Sequence, residues 1–179
     1  MSFIGFEYTE KGQFRPVAIS KSISDAEKRA TLLLTKLKDR NVHDDVIKFC
    51  KSELLQDNYF HAVFEATKSV ADKIRDLMGL KGDGSELVDS SFGINNPILK
   101  INNLITETEI SEQKGFTNLL KGFFGMFRNT TAHVPKIKWL IEEDDALNMM
   151  SMASLLHRKL DLAKKQNKYN HDQQSQIPH

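Results

Sequence analysis

The segment 57–78 constrains the fold more than any other part of the chain. Phe60, Val63, Phe64, Thr67, Val70, Ala71, Ile74, Leu77 and Met78 recur every third or fourth residue, which lines them along one face of an α-helix. His61, Glu65, Lys68, Ser69, Asp72 and Arg75 fall on the opposite flank, and Gly79 ends the pattern. An amphipathic helix of this kind draws most of its stability from whatever covers its apolar face, so other elements must pack on it.

The neighbouring segments supply further helices. Ser24 with Glu27 three residues on is a helix-start pattern, and Ala26, Ala30, Leu32, Leu33 and Leu37 follow at helical spacing to about Arg40. The stretch 41–44 is a break and a new cap, predicting a second helix to about Leu55. Residues 82–86 read as a turn followed by a helix cap, 93–97 as a loop and 98–105 as a short helix. A further helix opens near Ser111 and runs through Phe116, Leu119, Leu120, Phe123 and Phe124 toward Arg128. Gly115, Gly122 and Gly125 weaken it intrinsically, and their spacing points to a face where another backbone comes close. The acidic run 142–145 sits where a helix macrodipole favours negative charge, and Ala146, Met149, Met150, Ala153, Leu156 and Leu160 carry the last helix to about Lys165. Met149, Met150 and Met152 are expected as core or dimer filling.

The ends read differently. In residues 1–20, Phe3, Ile4, Phe6 and Tyr8 are separated by Lys11-Gly12 from Phe14, Val17 and Ile19, a pattern for an N-terminal hairpin or arm. Residues 166–179 are polar and almost without aliphatics, so a disordered tail is expected. Residues 21–165 form the helical domain, and the expected class is all-α. A length of 179 residues fits one core.

Charge and composition exclude several classes of function. With 25 basic and 24 acidic residues there is no global basic field, which argues against strong non-specific nucleic-acid binding but not against a local groove. Cys50 is the only cysteine, so an internal disulfide and a cysteine zinc site are ruled out, and its apolar neighbours mark a buried, inert thiol. No apolar run approaches the ~18 residues of a membrane span. The opening Met-Ser-Phe-Ile-Gly-Phe-Glu lacks the basic start and apolar stretch of a signal peptide, so a cytoplasmic location without membrane attachment is expected.

The stretch 122–135 carries the chemistry. The apolar Phe123, Phe124, Met126 and Phe127 must be buried, and they lead directly into Arg128, Asn129 and, after a short interval, His133 before Pro135 interrupts. Polar groups on packed backing are how functional sites are usually held. Arg offers a permanent forked cation suited to phosphate, and His a proton donor and acceptor near neutral pH. Asn129 and His133 are neighbours at i, i+4, whereas Arg128 and His133 converge only if the helix ends or is strained between them. Spacing alone also fits a buried His or an ordinary surface pair.

These residues resemble a known pattern. Arg-Asn-Thr-Thr-Ala-His matches the Arg-x4-6-His signature of the HEPN superfamily, with an Asn after the Arg. The wider chain is similar to the Ymh-type family of HEPN-like bacterial proteins. The shared blocks are Tyr59-Phe60-His61-Ala62-Val63-Phe64-Glu65-Ala66, Asp83-Gly84 with Leu87, Asn96-Pro97, Glu112-Gln113-Lys114-Gly115-Phe116, Gly122, and the hexapeptide itself. The resemblance covers about residues 43–162.

The resemblance implies a HEPN-like helical bundle that forms a homodimer, in which two such motifs meet in one cleft. It implies metal-independent RNA cleavage through attack of the neighbouring 2′-hydroxyl on the phosphate, with no cofactor, in a toxin–antitoxin, abortive-infection or antiviral-defence setting. An antitoxin or partner defence protein would accompany it. His133 would be general base or acid, Arg128 would hold the phosphate, and Asn129 would orient His133 or contact the backbone oxygens. Some HEPN toxins carry a Tyr two residues after the His that is modified with AMP; here that position is Pro135, so this control is not expected. The other reading of the same cleft is a non-catalytic HEPN-like module that binds RNA or a nucleotide.

His61, Glu65 and Lys68 form one stripe that could contact RNA, as could Thr130, although the stripe also fits a solvated face with local ion pairs. A metal at His61 and Glu65 lacks a third ligand, and no metal site is expected. His43 and His157 have no assignable partner in sequence.

Overall fold

Packing around one long helix organises the molecule. The computed structural model describes residues 6–8, 14–16, 23–55, 59–79, 81–129 and 141–165. Among them are six α-helices: α1 (Ile23–Asp39), α2 (Asp44–Ile47), α3 (Phe60–Met78), α4 (Gly84–Phe92), α5 (Glu107–Phe124) and α6 (Glu143–Leu162). The expected all-α class is what the chain adopts. Two short strands, β1 (Phe6–Tyr8) and β2 (Phe14–Pro16), pair antiparallel with Tyr8 opposite Phe14. The tail 166–179 lies outside the described residues.

The helix α3 is the hub, packing against α6, α4, α2 and the turn 125–129 that follows α5. Val70 and Ile74 are fully buried, whereas Phe64 and Leu77, at the margins of the apolar face, are half-buried. Gly79 closes the helix in the left-handed conformation at φ 68°, where a Cβ would be strained, and its N–H bonds the Arg75 carbonyl. Ser69 departs from its expected place on the solvated flank and is buried against α6. Leu33, Phe92, Leu120, Met150, Leu156 and Leu160 complete one continuous core.

Three helix expectations are corrected. The second helix does not reach Leu55. Instead α2 ends after one turn, the chain tightens through Phe49 N–H to Val46 O and Cys50 N–H to Ile47 O, and a 3-10 turn (Ser52–Leu54) follows. This breaks the periodicity so that Leu55 is buried and Arg29 reaches its carbonyl. The stretch 98–105 is not helical. Its strand β3 (Leu99–Lys100) pairs with β4 (Lys164–Lys165), and Gln113 of α5 donates to Leu99 O and accepts from Ile101 N–H, holding the chain extended. The fifth helix opens before Ser111, because Thr106 and Glu109 form a reciprocal capping box.

Cys50 is half-buried, and burial raises its thiol to about 11, consistent with an inert side chain. No helix among the described residues is long and apolar enough to cross a membrane.

Candidate functional site

Arg128 and Asn129 stand on a π turn (Gly125–Asn129) that continues α5. Phe123, Phe124 and Phe127 are buried behind it, with Phe123 edge-on to both of the others, so the backbone carrying Arg128 is anchored in the core; Met126, expected to be buried with them, is instead exposed, because it falls on the outer side of the turn. The turn also packs on α3. Thr130 and His133 lie outside the described residues. The three glycines of this segment are exposed, and a Cβ at Gly115, Gly122 or Gly125 would meet nothing within 4 Å. Thus no described part of the chain supplies the close backbone approach their spacing predicts.

The stripe on α3 includes local contacts. Lys68 Nζ bonds Glu65 at 2.9 Å and sits over the Phe64 ring, while half-buried His61 stands edge-on to Phe60. Glu65 and Lys68 therefore satisfy one another one helical turn apart.

A second polar centre, unassigned from sequence, lies between α2, α3 and α6. His157 on α6 is 1% exposed, and its Nε2 is 2.9 Å from Ser69 Oγ of α3. The Ser69 hydroxyl donates to Ala66 O, so the Nε2–H of His157 is the donor and Nδ1 carries the bare lone pair. That Nδ1 is buried, has no hydrogen-bond partner among the described residues, and lies 3.6 Å from Asp45 Oδ2. His43 caps α2, accepting from Asp45 N–H through Nδ1, while its Nε2 is 2.8 Å from Asp161. Its backbone N–H bonds Ser154 Oγ on α6, and the two imidazoles stack at 5.1 Å. Lys73 on α3 bridges Asp45 and Asp161.

Charge follows from this geometry. Burial, with Lys73 adding to it, pushes His157 down to about 4, so it is neutral at pH 7. Partial burial raises Asp45, but hydrogen bonds from Lys73 and Lys48 outweigh it and bring the carboxyl to about 2. Burial would lower Lys73, yet Asp161 and Asp45 raise it. The centre opens into a cleft of about 440 Å³ whose walls include Asp72, Asp76, Lys48 and Phe49. Residues from three elements build it, with His157 and Ser69 eighty-eight positions apart, so no local motif in the sequence announces it.

Among the described residues, the fold and these two centres define a small all-α bundle with an arginine-bearing helix end and a half-buried histidine–carboxylate cluster around the buried His157. The chain belongs to the Hypoth_Ymh family, described as proteins of unknown function, whose model matches residues 40–160. No curated protein matches the chain. No solved structure matches it either.

Proposed function

We propose that the chain is a HEPN-type, metal-independent endoribonuclease acting as a homodimer in the cytoplasm, in the setting of a toxin or phage-defence effector. The observation that carries this reading is the π turn at the end of α5. π turns within helices are frequent at functional sites, and this one places Arg128 and Asn129 on backbone fixed by three buried phenylalanines. The family match spans the same segment through His133. Gly115, Leu119 and Gly122 recur along one exposed face of this helix, and a homodimer would use that face.

In this reading the RNA 2′-hydroxyl attacks its neighbouring phosphorus as the bond to the 5′-oxygen breaks. One His133 takes the hydroxyl proton and the other protonates the leaving oxygen, giving a cyclic phosphate and a 5′-hydroxyl. Arg128 neutralises the charge on the phosphoryl oxygens, and Asn129 orients the imidazole. The test is incubation of pure protein with total RNA in EDTA. Wild-type protein cleaves, and His133→Ala loses at least about 100-fold in rate. RNA binding without cleavage on any substrate would sink the enzyme and favour the non-catalytic binding module.

A further inference from the structure

Both histidines of this centre, His157 buried and His43 half-buried, have the pattern of metal ligands. In each, the nitrogen away from Asp45 is held by a polar side chain, Asp161 for His43 and Ser69 for His157, which is how proteins orient metal-binding imidazoles. In each, Nδ1 faces the same carboxylate oxygen, Asp45 Oδ2, at 3.7 and 3.6 Å. Two ligands about 2.1 Å from a tetrahedral ion are about 3.4 Å apart, so both separations are near what one ion requires. The potential ligand atoms of His43, Asp45 and His157 all lie within 4.8 Å of one another.

We propose that His43, Asp45 and His157 bind a late first-row divalent ion, zinc foremost, tying α2 to α6 at the head of the cleft. Two imidazoles with one carboxylate select zinc, cobalt, nickel or copper over magnesium or calcium, which take oxygen ligands. The unpartnered Nδ1 is the observation that separates this from an ordinary ion-pair cluster. Lys73 already answers the charge of Asp45 and Asp161, yet it leaves the His157 lone pair unmet, and an ionised carboxylate cannot donate to it. A metal cation satisfies the lone pair and the carboxylate together. Binding displaces Asp45 N–H from His43 Nδ1 and shifts Lys73 onto Asp161 alone; α2, a single turn, is short enough to make that adjustment.

The ammonium of Lys73 is thus a built-in competitor, and this gives the test an unusual sign. Full-length protein, stripped with chelator and dialysed, is titrated with zinc chloride by calorimetry and with cobalt(II) by visible absorption. The expected result is one ion per chain with tetrahedral cobalt bands. Asp45→Asn and His43→Gln weaken binding by roughly 100-fold, Ser69→Ala weakens it by roughly tenfold, and Lys73→Met tightens it. A His171→Ala, His179→Ala double variant separates tail binding from this site and leaves the affinity unchanged. No saturable binding below about 100 μM overturns the proposal, as does binding indifferent to Asp45→Asn or weakened by Lys73→Met. RNA cleavage in EDTA is independent of this site, so the two proposals stand or fall separately.

Discussion

The seam between α4 and α5 and the seam between α3 and α6 both bury polar side chains, but they treat them differently. Gln113 on α5 is fully buried, and both ends of its amide are used: Oε1 accepts from Ile101 N–H, and Nε2 donates to Leu99 O and Phe92 O. Thr117, one turn on, donates to Gln113 O and Phe92 O. On α6, His157 is equally buried but uses only one of its two ring nitrogens. A saturated buried polar group is a fastener, because every bond it makes fixes backbone that would otherwise lack a partner. An unsaturated one is a binding capacity held in the core at a free-energy cost. The difference separates scaffold from site within one small bundle.

The comparison can be broken most directly at Gln113. Replacing it by Leu leaves Ile101 N–H, Leu99 O and Phe92 O buried without this partner, and the expected loss is about 4 kcal/mol of unfolding free energy in urea. A loss under about 1 kcal/mol would mean that β3 is held by something else.

Acid probes the other seam. His157 is lowered from an ordinary histidine value to about 4, so between those values the unfolded chain binds a proton that the folded one refuses. Stability contributed by the neutral ring is therefore complete above about pH 6.5 and declines as pH falls toward 4, by up to roughly 3 kcal/mol. The groups facing the ring are Asp45, which opposes this shift, and Lys73, His43 and Lys48, which reinforce it. Chemical denaturation in EDTA at pH 7 and pH 4.5 measures the effect, and His157→Gln should flatten the slope. An unchanged slope in that variant would assign the acid sensitivity elsewhere.

Smaller changes sharpen the contrast. Thr117→Val removes a donor whose acceptors keep other partners and should cost about 1 kcal/mol by thermal unfolding. Glu65→Ala, which breaks the half-buried surface pair with Lys68, should change stability by less than about 0.5 kcal/mol. If the surface pair outweighs the buried threonine, the distinction between buried fasteners and solvated pairs fails.

Much of the scaffold was legible from residue spacing. The apolar face of α3 and the glycine that closes it follow from a repeat of 3.6 and one left-handed position, both local properties. The start of α5 was legible too, in Thr106 and Glu109, but Ser111 is the residue that looks like an opening when the capping box is overlooked. The stretch 98–105 was not legible, because its apolar residues fit a helical turn, and pairing with the distant β4 and bonds from Gln113 of the following helix hold it extended. The glycines of α5 were read as a crowded face, whereas spacing cannot distinguish a filled contact from an open surface. Of the Arg128, Asn129 and His133 motif, the structure describes the backbone of the first two, on the packed turn their apolar neighbours predict.

Sequence alone determined the helical class, the central helix and the apolar backing of Arg128, because periodicity and burial preference act over a few neighbouring residues. Tertiary structure alone decided that His43, Asp45, Ser69 and His157 meet, and that one imidazole nitrogen among them is buried without a partner. The reason is that hydrogen-bond saturation belongs to a place in space, and that place is assembled here from three helices far apart along the chain.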